Sequence, residues 1–158
     1  MTPKLRRASI EDHALVLGFL ADFYVESGFD LDRDRAASAI HRLIENEAYG
    51  HLYVIEVDAA PVGYTALTFG FSLEFDGRDG IIDDLYVAPT YRDQGIGSAV
   101  VELVLEAARQ EGLNAVHLEV DHENERAKKV YFRAGFKDYK RHLLSCRLRN
   151  PLGHPNDK

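Results

Sequence analysis

Residues 81–98 read IIDDLYVAPTYRDQGIGS, and this run constrains the fold more than any other stretch of the chain. Ile81, Ile82, Leu85, Tyr86 and Val87 favour an extended strand, and Pro89 cannot donate to a ladder, so the strand stops there. Gly95 and Gly97 permit a tight turn and a close approach of backbone to a neighbour. Beyond them Ile96, Val100, Leu103, Val104 and Ala107 recur at helical spacing, with Glu102, Glu106 and Arg109 between them, until Gly112 stops the helix. A strand feeding straight into a helix start leaves backbone N–H groups free at the positive end of a helix dipole, where anionic phosphates bind. Asp83 and Asp84 sit on the same strand. The junction therefore places an anion seat beside candidate proton acceptors. The competing reading is a strand-to-helix turn with no ligand.

A second stretch, residues 117–136, reads HLEVDHENERAKKVYFRAGF. It predicts a short strand over 115–120, then a helix capped by Asn124 and running to about residue 134. Ala127, Val130, Tyr131 and Ala134 share one face of that helix, and Gly135 ends it.

The rest of the chain supplies the frame. Residues 4–8 predict a first strand. Ser9, with Asp12 three residues on, starts a helix carrying Leu15, Val16, Phe19, Leu20 and Phe23 on its apolar face and ending at Gly28. Residues 32–46 predict a second amphipathic helix with Ala36, Ile40, Leu43 and Ile44. Strands over 51–57 and 62–71 are joined by a hairpin connection at 58–61. Residues 73–80 predict a loop or a splayed hairpin end, followed by the strand of the two aspartates over 80–87. Residues 137–140 and 142–149 predict two final strands, and 150–158, with two prolines, a loose tail. This order gives one domain over 1–149, an α/β (α+β) fold. Its sheet is mixed, mostly antiparallel, of about six to seven strands, with helices on both faces.

Two motifs in this order carry a resemblance. Arg92-x-x-Gly95-x-Gly97 followed by Asn124-x-x-Ala127-x-x-x-Tyr131-x-x-x-Gly135-Phe136 resembles the GCN5-related N-acetyltransferase (GNAT) superfamily over nearly the whole chain. The DDLYV strand is similar to that of the diamine and polyamine acetyltransferase branch. The resemblance implies that strands 80–87 and 115–120 splay apart and that acetyl-CoA lies in the resulting cleft. It implies acetyl transfer to a primary amine by direct attack in a ternary complex, without an acyl-enzyme. Cys146 lies away from both motifs and is not expected to act as a nucleophile.

Site roles follow from the same resemblance. The N–H groups of Gln94, Gly95, Ile96, Gly97 and Ser98 would seat the phosphates, with Arg92 reaching the pyrophosphate. Leu85 and Val87 would offer main-chain groups to the pantetheine arm, and the Val87 N–H is a candidate oxyanion donor. Asn124 would bond the arm or only cap its helix. Tyr131 would protonate the leaving thiolate, or only pack on Phe136. Asp93 departs from the pattern, since many relatives have glycine there, and its carboxylate repels phosphate unless it points to solvent.

Strand alternation puts Asp83 with Leu85 and Val87, and Asp84 with Tyr86, so that one of them borders the acceptor, although a splayed or bulged strand end could admit both. Asp83 is the first candidate to assist amine deprotonation, Asp84 the second and Glu119 the third; each could instead be a structural carboxylate. Tyr24, Glu26, Phe29, Phe71, Glu74, Phe75 and Asp76 mix aromatic surface with acid, which suits a cationic amine; a core of aromatics under surface acids is the plainer alternative.

The net charge of −7 argues against a free-standing nucleic-acid binder and suits a cationic acceptor. A protein lysine or N-terminus remains an alternative acceptor. A non-catalytic acyl-CoA sensor or a purely structural protein remain alternative classes. One cysteine excludes an internal disulfide and favours a reducing compartment. Lys4, Arg6 and Arg7 lead into no apolar signal core, and no run is long enough to span a membrane, so the expectation is cytoplasmic. Seven scattered histidines, His117 and His122 among them, suggest no metal site. Relatives often form dimers, and the final strands are the expected interface.

Overall fold

The computed structural model describes residues 1–148. In chain order it contains β1 (Pro3–Arg7), α1 (His13–Ser27), α2 (Arg33–Glu45), β2 (Gly50–Val57), β3 (Ala60–Ser72), β4 (Gly77–Val87), α3 (Ile96–Gln110), β5 (Ala115–Leu118) and α4 (Glu125–Arg133). Single 3-10 turns at Ile10–Asp12 and Pro89–Tyr91 lead into α1 and out of β4. The strands lie in one sheet in sequence order, β1 to β4 antiparallel and β5 parallel to β4. The architecture is the expected mixed α/β sheet with helices on both faces.

Local chemistry sets the boundaries. The Ser9 N–H donates to Asp12 Oδ2 at 2.8 Å, and Arg6 grips the same carboxylate at 2.8 and 2.9 Å while its Nε donates to Glu56 at 2.7 Å. That network fixes the start of α1 against β1 and β2. Gly28 adopts φ +73° and ends α1, and Asp32 caps α2 by accepting from the Arg35 N–H at 3.1 Å. Asp58 and Ala59 both take positive φ, which gives the two-residue turn whose twist suits the β2–β3 hairpin.

Two apolar layers sandwich the sheet. Val16 and Ile40 from α1 and α2 pack on Leu52, Val54, Tyr64, Ala66 and Tyr86. Ile96, Val100, Val104 and Ala108 of α3 pack on Ile55, Val57, Leu67, Ile82 and Val87. Each fully buried aliphatic side chain contributes about 1.5–3 kcal/mol. The surface pair Arg109–Glu106 contributes at most about 1 kcal/mol. The apolar stripe is therefore what docks α3 and fixes where its N-terminus points.

β4 differs from its sequence reading in three ways. It begins at Gly77, so the loop is shorter than 73–80: Asn114 Nδ2 donates to the carbonyls of Phe75 and Asp76 at 3.0 and 3.1 Å and pins a tight hairpin. Its register with β3 slips, with Ala66 opposite Asp84 but Leu67 opposite Ile82. Asp83 is the extra residue of a β-bulge. Because of that residue, Ile82, not Asp83, shares the α3 face with Leu85 and Val87. Finally, β5 pairs with β4 only from Asp79 to Ile82. Past the bulge the two strands part, and residues 83–87 have no ladder partner on that side among the described residues. The strand expected over 115–120 stops at Leu118, so Glu119 lies in the connection to α4, exposed.

The sheet has five strands among the described residues, not six to seven. Residues 137–148 carry the expected strand-like pattern but form no ladder. Their contacts include side-chain contacts at the β3–β4 hairpin, where Arg141 pairs with Glu74 at 2.7 and 2.8 Å and Tyr139 packs on Phe75 with ring centroids 6.4 Å apart, and the charge of Arg147 acts on Tyr24 of α1. Leu143, Leu144 and Leu148 are left 66%, 89% and 92% exposed. Residue 149 and the tail 150–158 lie outside the described residues. No helix among those described is long and apolar enough to cross a membrane.

Candidate active site

The N-terminus of α3 meets the free end of β4. Gly95 takes φ +78° as the residue before the helix, and its carbonyl accepts the first helical bond, from the Ala99 N–H at 3.1 Å. The N–H groups of Ile96, Gly97 and Ser98 therefore have no intrahelical acceptor and sit at the positive end of the dipole. A Cβ at Gly97 would meet no protein atom within 4 Å, and this glycine is helical. Nothing in the fold itself requires glycine there. The residue leaves open space directly in front of the free donors, a cradle that fits a phosphate group.

A cleft of ≈ 380 Å³ opens from this turn between β4, α3 and α4. Of the residues expected to bind cofactor, Leu85, Val87, Arg92, Gly95, Ile96, Gly97, Ser98, Asn124 and Tyr131 all line it; Gln94 does not, and its amide folds back to donate to the Thr90 carbonyl at 3.0 Å. The Ala88 N–H donates to the Val62 carbonyl at 2.8 Å. By antiparallel alternation the peptide groups of Leu85 and Val87 face away from β3, into the gap that β5 leaves.

Several expected residues are engaged within the protein. Arg92 Nε donates to the Val87 carbonyl at 2.7 Å, and its Nη2 donates to both Glu26 oxygens at 2.9 and 2.7 Å. Its guanidinium also lies 5.4 Å from the Tyr86 ring centroid. Arg92 is thus latched to α1, not turned to a pyrophosphate, and Glu26 is neutralised by it. Asn124 caps α4, its Oδ1 accepting from the Ala127 N–H at 3.0 Å, while still lining the cleft. Tyr131 packs on Phe136 with centroids 5.9 Å apart, and burial raises its phenol above the usual value. Asp93 takes φ +64° and forms an ion pair with Arg126 of α4.

The two candidate carboxylates of β4 differ in setting. Asp83, on the bulge, is exposed. Asp84 turns toward α1 and α2, accepts from the Tyr64 hydroxyl at 3.0 Å, and is pushed up to about 6. Burial is the main cause and the charge of Asp83 the next; the Tyr64 bond acts the other way. Tyr64 and Tyr24 are both raised by burial and by these two carboxylates, which brings Tyr24 into the same cluster. Phe29 packs beside Tyr24 at 6.1 Å. Phe75 lies at the opposite end of β4, its ring 4.9 Å from that of His117, with Phe71, Glu74 and Asp76 in the same hairpin region. A strand has two ends, and composition alone does not say which one an aromatic serves.

Tyr64 was not anticipated. Its signal was its place on β3, opposite the aspartate strand and on the face of Tyr86. Among the described residues no group of histidine, cysteine or carboxylate side chains is arranged to hold a metal.

A model of the acetyltransferase (GNAT) family matches residues 16–136. Over 96 residues the chain is 36% identical to thialysine N-epsilon-acetyltransferase of Bos taurus, a match covering 56% of each chain. This chain spans about half the length of the curated relatives it matches. A solved integron cassette protein from the mobile metagenome of Cole Harbour Salt Marsh superposes with a TM-score of 0.83 at 34% identity, covering 93% of this chain and 91% of that one. A predicted acetyltransferase of Clostridium acetobutylicum, solved with acetyl-CoA, superposes with a TM-score of 0.76 over 92% of this chain and 96% of that one; at 18% identity it shares the fold.

Proposed function

The chain belongs to the acetyltransferase (GNAT) family, and on that premise we propose that it is an acetyl-CoA-dependent N-acetyltransferase acting on a small cationic amine. The observation that carries this reading is one cleft holding a glycine cradle before free helix donors, with Tyr131 on its wall. The raised carboxyl of Asp84 lies on the neighbouring stretch of β4.

When bound, acetyl-CoA supplies an acyl group activated as a thioester. The chain supplies the rest. The N–H groups of Ile96, Gly97 and Ser98 hold phosphate oxygens. The outward peptide groups of Leu85 and the N–H of Val87 would hold an extended arm as a neighbouring strand would, the Val87 carbonyl being taken by Arg92, and the Val87 N–H would serve as the donor to the developing oxyanion. Asp84, not Asp83, accepts the proton of the incoming ammonium, directly or through water. An alkylammonium has a pKa near 10.4, so raising the carboxyl to about 6 narrows the mismatch by about two units, or ~3 kcal/mol of proton-transfer driving force. Tyr131 holds a phenol proton on the α4 wall for the departing sulfur.

A small cationic acceptor is supported by the relative named for the N-epsilon of thialysine and by the acids near Tyr24 and Tyr86: with Glu26 matched by Arg92, Asp83, Asp84 and Asp22 outnumber the cation Arg147. The exposed leucines of residues 137–148 support a homodimer built through that segment. The reading is tested by calorimetric titration with acetyl-CoA, followed by thiol-release assays across diamines, amino acids and lysine peptides. Micromolar binding and turnover on small amines are expected. A folded protein that does not bind would overturn the enzyme assignment, and turnover confined to peptides would overturn the acceptor class.

A further inference from the structure

We propose that Arg126 is a second anion contact of the cleft, receiving the 3′-phosphate at the nucleotide end of coenzyme A, and that Asp93 occupies it until that group arrives. The proposal rests on the cofactor assignment above and deepens it.

The cations lining the cleft are Arg92 and Arg126, and the acids are Glu26 and Asp93. Each cation is matched to one acid, so the wall presents no net positive charge to a ligand carrying several negative ones. The two pairs differ in how firmly they are held. Arg92 is held on three sides, by the Val87 carbonyl, both Glu26 oxygens and the Tyr86 ring. Among the described residues, the Arg126 side chain has its ion pair with Asp93 and no other polar contact. Those two side chains are 65% and 76% exposed. An exposed pair of this kind contributes little and exchanges readily, whereas a guanidinium meets a phosphate with two parallel charge-assisted bonds.

Position selects the phosphate. The free N–H groups of the α3 turn are the seat for the pyrophosphate. Arg126 is the second residue of α4, on the opposite wall, and its reach to Asp93 bridges the rim of the cleft beside that seat. The one remaining phosphoryl group of coenzyme A is the 3′-phosphate on its ribose. Asp93 would be a liability alone, because its carboxylate stands at a positive-φ turn position next to the seat. Paired with Arg126 it is neutralised; once phosphate takes the guanidinium, it is left facing solvent.

The test compares coenzyme A with 3′-dephospho-coenzyme A by calorimetry on the full chain. Arg126→Gln should weaken coenzyme A about tenfold and the dephospho form by no more than about twofold, through the unpaired Asp93 carboxylate alone. Arg126→Lys should recover part of the loss. Asp93→Asn, which keeps the shape but removes the competitor, should tighten coenzyme A by about threefold or more. Equal weakening of both ligands by Arg126→Gln, or no effect on either, would overturn the proposal. If the unaltered protein binds neither ligand, the cofactor assignment itself fails, an outcome separate from these. Both side chains are exposed, and a circular dichroism melt confirms that each variant folds.

Discussion

Burial holds the Asp84 carboxyl at about 6, above its ordinary value near 3.9, so the ionised form is penalised in the folded state. That penalty is fully present above pH 6 and disappears as pH falls through 6 toward 4. Asp84→Asn removes it and still offers the Tyr64 hydroxyl an acceptor. The variant should therefore melt higher than the parent at pH 7.5, by up to about 2–3 kcal/mol of stability, with the gap closing by pH 4. The same substitution should lower amine turnover by at least about 100-fold, and the parent's kcat/KM should fall below pH 6. A variant that is both less stable and equally active would refute the role. Tyr131→Phe keeps the ring packed on Phe136 and removes the proton. It should lower kcat by about 100-fold with acetyl-CoA affinity retained; lost affinity at unchanged kcat would refute the donor role.

At the scale of elements, what the sequence made legible was local. The strand stop at Pro89, the glycine turn and the α3 stripe of Ile96, Val100 and Val104 are each decided within a few residues, and they were read nearly to their ends. What was illegible depends on partners distant in sequence. The bulge at Asp83 arises from pairing with β3, so strict alternation misassigned the face of Asp83 while keeping Asp84 with Tyr86. Arg92 is 66 residues from Glu26, so nothing near Arg92 indicated that its guanidinium was already engaged. Residues 137–148 have the composition of a strand, but a strand exists only against a ladder partner, which the pattern cannot supply. The glycine turn gives the matching prediction. Gly97→Val adds a Cβ into open space, and valine is no worse than glycine in a helix, so the melting temperature should stay within a few degrees. Acetyl-CoA binding, read by calorimetry, should be lost. Unchanged affinity would show that phosphate sits elsewhere.

For the molecule as a whole, the balance of −7 includes acids near Tyr24 and Tyr86, the place proposed above for the acceptor. A field of that sign speeds the approach of cations and is screened over roughly 10 Å at 0.1 M salt. The kcat/KM for a diamine should therefore fall as sodium chloride is raised from low to physiological levels, while that for a neutral-bodied monoamine changes less. Equal salt dependence would place the acids outside the approach path. Light scattering should return the mass of two chains, and replacing Leu143, Leu144 and Leu148 with serine should return one.

The bulge has a consequence for how such a strand can change over time. Ahead of Asp83, the even-numbered Ile82 meets α3; behind it, the odd-numbered Leu85 and Val87 do. β4 is in effect read in two frames, and one residue separates them. Substitution alters a single wall of the cleft and leaves the other intact. Flattening the bulge with every residue kept would exchange the walls beyond it together, driving Asp84 into the α3 layer and turning Leu85 toward α1, whereas loss of Asp83 itself would leave both walls in place on a regular strand. The place of the bulge is thus inherited information apart from side-chain identity: Asp83 can be lost without moving either wall, while a regular pairing that absorbs it turns both.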